Sequence, residues 1–147
     1  MKIVMRRFFL YIIIGIGLTA CDVEFSDNGD LDGFWQLCSI DTLETGRTGD
    51  VRDKGLTWAF EGKLLEVRDV QKVHQDIILS FSHGNGTLQI FSPYLVYREE
   101  GDLKIEDIDF MRPYGINQLE ESFRVLELNS DRMVLESEVV RLSFRKY

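Results

Sequence analysis

Two thiols, two imidazoles and 25 carboxylates are the side chains of this 147-residue sequence that could carry chemistry. A thiol turns nucleophilic when nearby cations or a helix N-terminus stabilise its thiolate. Cys38 has no basic residue close in sequence and lies in an alternating run, Gly33-Phe34-Trp35-Gln36-Leu37-Cys38-Ser39-Ile40, so it reads as a small buried hydrophobe. His74 and His83 stand nine residues apart and show no zinc-ligand spacing. Asn28-Gly29-Asp30-Leu31-Asp32-Gly33 begins like a calcium loop. Position 12, where a bidentate glutamate would close such a loop, is Ser39. With so many carboxylates, some pair will fall ~5–9 Å apart by chance, the separations glycosidases use. No nucleophile elbow, phosphate-binding loop or dinucleotide fingerprint accompanies them. The expectation is a protein that is not an enzyme and has neither a metal nor a cofactor.

Cys21 has a different chemistry. Lys2, Arg6 and Arg7 precede an apolar run, Phe8 to Leu18, and the run ends in Leu18-Thr19-Ala20-Cys21. This stretch resembles a bacterial lipoprotein signal peptide with its lipobox. The resemblance implies cleavage before Cys21 and lipid on both its sulfur and its new amino group. An uncleaved transmembrane helix is the alternative, but it needs about twenty residues at ~1.5 Å each, and the run is much shorter. Arg6-Arg7-Phe8-Phe9-Leu10 resembles part of a twin-arginine signal, from which Met5 and Tyr11 depart; a general secretion route is expected. The pattern implies several acyl chains, each held by ~0.8 kcal/mol per buried methylene. Cys21 is thus expected to anchor the chain in the cell envelope, at the outer membrane. Asp22 leaves the leaflet open: one sorting rule reads it as inner-membrane retention, whereas in other bacterial groups such acids accompany surface display.

Stepwise, residues 1–20 read as the signal peptide, 21–30 as a lipidated acidic linker and 31–147 as one domain. Removing Lys2, Arg6 and Arg7 takes the formal charge from −8 to −11. Such a surface repels nucleic acid and anionic headgroups, and no basic stripe interleaved with aromatics is present. Once Cys21 carries lipid, Cys38 has no partner for a disulfide.

The elements that would position these groups are strands. In the first, Gly33 to Ile40, Trp35 and Leu37 share one face and Phe34, Cys38 and Ile40 the other. Residues 41–54 hold three turn clusters and read as a loop. Leu56–Phe60 and Leu64–Arg68 flank Glu61-Gly62-Lys63 as a hairpin, and Ile77–Phe81 and Leu88–Ile90 flank Gly84-Asn85-Gly86 as a second. Pro93 should end that strand. Residues 94–109 could hold two strands around an acidic rim, 99–109, and 113–121 could form a short helix. Phe123–Leu128 and Met133–Phe144 complete the set, the latter as one strand or two.

The reading is an all-β fold, a small antiparallel meander barrel of about eight strands. Strand phase places Trp35, Leu37, Trp58, Phe60, Leu65, Val67, Ile77, Leu79, Phe81, Leu88, Ile90, Phe123, Val125, Met133, Leu135, Val140, Leu142 and Phe144 inside. If the sheet closes, the last strand returns beside the first. Arg145, or failing that Arg141, should then lie over the Trp35 ring. Gly33-x-Trp35 on the first strand, the run of hairpins, and a last strand ending Leu142-Ser143-Phe144-Arg145-Lys146 resemble the lipocalin-like proteins, in particular small lipocalin-like lipoproteins of Gram-negative envelopes. The resemblance covers residues 31–147 and implies the fold and, loosely, small apolar ligands.

Two functions follow as expectations. The first is a lipid-anchored module binding a small apolar or amphipathic molecule, with Trp35, Trp58, Phe60, Leu79, Phe81 and Phe123 facing it and His83 at the barrel mouth. The second is an interaction or structural lipoprotein that binds an envelope protein through its rim or loops, the interior being filled by side chains. Asp41-Thr42-Leu43 also resembles a short O-glycosylation pattern of exported bacterial proteins, which would place a sugar on Thr42.

Overall fold

The computed structural model describes residues 27–97 and 99–147. The signal peptide, Cys21 and most of the linker lie outside the described residues. Ten strands form: β1 (Gly33–Thr42), β2 (Arg47–Asp50), β3 (Leu56–Glu61), β4 (Leu64–Asp69), β5 (Ile77–Gly84), β6 (Thr87–Leu95), β7 (Leu103–Lys104), β8 (Glu121–Leu128), β9 (Arg132–Glu136) and β10 (Val140–Lys146). The path β10-β9-β8-β6-β5-β4-β3-β1 closes on itself through β1–β10, giving an eight-stranded antiparallel barrel. β2 extends from β1 and β7 from β6. The "lower" end below is where β1 begins and β10 ends; Thr42, Ile77, Leu95 and Val140 lie at the "upper" end.

The local chemistry makes these hairpins. Asn85 (φ 54°) and Gly86 (φ 72°) are both left-handed, as a two-residue type I′ turn requires. At β8–β9 the Asn129 side-chain oxygen accepts from the backbone N–H groups of Asp131 and Arg132. At β9–β10 Ser137 Oγ accepts from those of Val139 and Val140. Glu136 joins the last three barrel strands, accepting from Arg124 of β8 and, at 2.6 Å, from Arg141 of β10.

The core follows the strand phase, and every residue assigned inside is buried except Val125, which packs against the core half-exposed. Five local readings change. First, β1 and β10 shift register between Leu37 and Ser39. An extra residue there reverses the side-chain phase. Ile40, expected outside, therefore pairs with Leu142 and packs against the core, and Cys38, expected buried, is only partly so. Second, β1 runs on to Thr42 and pairs with β2, so residues 41–54 are not simply a loop. Third, Pro93 does not end β6. Ser92 (φ 52°) and Pro93 form an irregularity between Ile78 and Ser80 of β5, where no ladder hydrogen bond is asked of the proline. Fourth, residues 113–121 form no α-helix; short 3₁₀ turns stand at Ile108–Phe110 and Arg112–Tyr114, the latter ended by Gly115. Fifth, of the two strands envisaged at 94–109, the first is the end of β6 and the second is the two-residue β7.

Candidate functional site

The barrel interior is an aromatic column. Trp58 stands at its centre, with ring centroids 5.0 Å from Phe144, 6.0 Å from Phe123 and 6.3 Å from Phe60. Phe60 meets Phe81 edge-on at 5.1 Å. Edge-to-face contacts of this kind add to the burial of the rings themselves. Trp35 and Trp58 are fully buried, so each indole N–H needs an acceptor. Trp35 Nε1 donates to the Leu31 carbonyl at 2.8 Å, and Trp58 Nε1 to the Tyr114 carbonyl at 3.2 Å.

Those two bonds tie the column to the segments that close it. Below, the 3₁₀ turn Gly29–Leu31 places buried Leu31 under the barrel. Above, the connection from β7 to β8 enters the mouth and buries Ile105, Met111, Tyr114 and Ile116. Ile105 N–H donates to the Pro93 carbonyl at 2.9 Å. Tyr114 Oη donates to the Gln75 carbonyl in the β4–β5 loop at 2.7 Å. Burial pushes the Tyr114 phenol well above its usual range, helped by the nearby negative charges of Asp76 and Asp69, so it stays protonated and donates this hydrogen bond. Gly115, at φ 83°, brings the backbone against Leu142: a Cβ there would lie 2.5 Å from Leu142 Cδ2. Residues 105–117 are therefore a stopper seated in the barrel mouth.

The stopper's neighbours are polar. Asp69, almost fully buried, accepts from the backbone N–H groups of Gln71, Val73 and His74 and so fixes the β4–β5 loop beside it. The His74 ring lies 6.3 Å from that of Tyr114. An open cleft of about 300 Å³ runs between this loop and the stopper, lined by His74, Gln75, Asp107, Asp109, Phe110 and Pro113. On the other flank Glu121, also buried, accepts from Asn117 N–H at 2.7 Å. Burial raises its carboxyl above the usual range, against the pull of the Asn117, Ser137 and Gln118 hydrogen bonds. Among the described residues no group of three or more His, Cys, Asp or Glu is placed to hold a metal ion.

Of the interior residues singled out from sequence, Trp35, Trp58, Phe60, Leu79, Phe81 and Phe123 all lie in the one core. His83 does not join them. It shares the inward phase through its pairing with Leu88 and stands exposed beside the β5–β6 hairpin, at the lower end of the barrel, opposite the stoppered mouth. His74, at the stopper, is the histidine of the upper end. Thr42 sits at the end of β1, paired with both β2 and β10, not in a free loop. Sequence reasoning missed the stopper because Met111, Tyr114 and Ile116 alternate neither as a strand nor as a helix. The one local sign is Gly115, a glycine inside the stretch 113–121 that was expected to be a short helix.

A family model described as "Lipocalin-like domain" matches residues 16–147. No curated protein matches the sequence. Among solved structures, a lipocalin-like protein from Bacteroides uniformis is similar at 21% identity and TM-score 0.62, over 81% of this chain and 100% of that one. An uncharacterized protein from Bacteroides eggerthii is similar at 17% identity and TM-score 0.57, over 80% and 99%. At these identities the likeness is one of fold.

Proposed function

We propose, for a chain that belongs to the lipocalin-like domain family, the role of an envelope lipoprotein that binds a small apolar or amphipathic molecule at the upper end of its barrel. It is a binding module and not an enzyme, held at the outer membrane by lipid on Cys21. The observation that carries the ligand reading is the stopper. The mouth is closed by a connecting segment and not by the barrel strands, and Met111, Tyr114 and Ile116 occupy the apolar space above Trp58. Eight strands leave an interior just wide enough for side chains or one small ligand. A ligand would enter in exchange for these side chains, so binding and stopper release are one equilibrium.

The test is titration of the mature chain with a fluorescent fatty acid, alongside a Tyr114→Ala variant. The expected result is binding by both, tighter in the variant because it has less stopper to displace. Trp58 emission should shift as its indole N–H loses the Tyr114 carbonyl. Two folded proteins that leave the probe free and Trp58 unchanged would overturn the ligand reading. The filled column favours the second reading, an interaction lipoprotein acting through its outer surface, and that result would select it.

A further inference from the structure

On the outer wall at the lower end, Phe34 and Tyr147 stand side by side. Tyr147 N–H donates to the Phe34 carbonyl at 3.1 Å, and the two side chains are 61% and 69% exposed. From these rings an open cleft of about 310 Å³ runs up the outer wall past Ala59, Glu66 and Arg68 to Val70 in the β4–β5 loop. Nothing in the core needs an aromatic ring at either position. Two large rings left in water at one strand end call for a partner.

The path of the chain says which partner. Residues leading back to Cys21 join the fold at Asn28, whose side-chain amide donates to the Gly62 carbonyl of the lower β3–β4 hairpin at 2.8 Å. Lys146 Nζ reaches the carbonyl of Asp30 in the same corner. Seven residue steps separate Cys21 from Asn28, and a chain extends at most ~3.6 Å per step, or about 25 Å in all. A lipid on Cys21 therefore keeps this end, where the tether joins the fold, within ~25 Å of the bilayer. Tyrosine and its aromatic kin settle at the headgroup level. The acidic surface, with Asp30, Asp32 and Glu61 nearby, repels anionic headgroups.

We propose that the lower end of the barrel rests on the zwitterionic lipid surface that holds Cys21, with Phe34 and Tyr147 in the headgroup layer and the stoppered mouth facing away. This orientation rests on the lipid anchor proposed above. A ligand would then reach the mouth from the aqueous side and not from the membrane beneath.

Two variants, each with one added tryptophan, test it in the full lipidated chain, reconstituted in phosphatidylcholine vesicles carrying brominated acyl chains. Phe34→Trp reports the lower end; Phe110→Trp, at the exposed stopper, reports the upper. Both are surface replacements on top of the buried Trp35 and Trp58 signals. The expected result is a blue shift and loss of most of the added emission for Phe34→Trp, with Phe110→Trp unaffected. Equal quenching, or stronger quenching at Phe110→Trp, overturns the orientation while leaving the anchor intact. An intact mass showing no lipid on Cys21 overturns the anchor and the orientation together.

Discussion

Lys146 Nζ lies 4.9 Å from the centroid of the Trp35 ring and closes the barrel at its lower end. Arg145 was expected in that place. Strand period decides against it: Trp35 points inward and pairs with Lys146, in phase with Phe144 and Leu142, whereas Arg145 pairs with Gln36 and points out. Arg145 instead donates to Gln36 Oε1 at 3.0 Å. Lys146→Met should cost ~0.5–2 kcal/mol, the range for a cation over an aromatic face. Arg145→Met, which removes one exposed hydrogen bond, should cost less. Urea unfolding of the two variants ranks them, and the reverse order would deny the Lys146–Trp35 contact its role.

Closure through β1–β10 makes residues 142–147 indispensable. Removing them strips the core of Leu142 and Phe144 at ~1.5–3 kcal/mol each. It also bares the edges of β1 and β9, which invites aggregation. Against a total of ~5–15 kcal/mol, the shortened protein should melt far lower or fail to fold. A thermal melt at the full-length temperature would mean that the barrel stands without this seam.

Gly115 is the point on which the stopper turns. Gly115→Ala meets both a left-handed backbone and the Leu142 methyl, and should cost ~1–3 kcal/mol. The Leu142→Ala background removes the second obstacle, so the penalty there should be smaller by ~0.5–3 kcal/mol, the coupling expected of touching residues. Equal penalties in both backgrounds would assign the whole effect to backbone strain.

Cys38 should be a labelable surface thiol. It is half-buried at the β1 irregularity, and Sγ donates to the Gln36 carbonyl at 3.5 Å. Cys38→Ser should shift stability by less than ~1 kcal/mol, and the native thiol should react without denaturant. Protection that persists until unfolding would show that the bulge keeps the sulfur covered.

Glu121 sets a pH dependence with a definite sign. Its folded carboxyl is raised by burial, so between the usual carboxylate range and the raised value the folded state holds more proton than the unfolded chain. The slope of stability with pH is then negative: this contribution is fully favourable at low pH and is lost as pH rises through that window. Glu138 adds to the rise from the side, and the hydrogen bonds of Asn117, Ser137 and Gln118 oppose it. Urea midpoints from about pH 4 to about pH 7 should fall less for Glu121→Gln than for the parent. Identical slopes would show that Glu121 titrates normally.

The barrel wall is written in local residue alternation. Alternation at Trp58, Phe60, Leu65, Val67, Ile77, Leu79 and Phe81 is a local consequence of strand geometry, since each second side chain must face the same way. The turn at Gly84-Asn85-Gly86 was legible from its residue types, and the return of the last strand to the first was expected on condition that the sheet closes, which the β1–β10 pairing meets. Where that alternation breaks depends on contacts between strands. The irregularities at Cys38 and Ser92 each reverse the phase, and the reason lies in the partner strand, whose own alternation runs unbroken past the extra residue while the register shifts by one. The stopper was beyond sequence altogether. Met111, Tyr114 and Ile116 are buried by a barrel mouth assembled from strands far from them along the chain, and no local period records a surface that exists only once the barrel has closed.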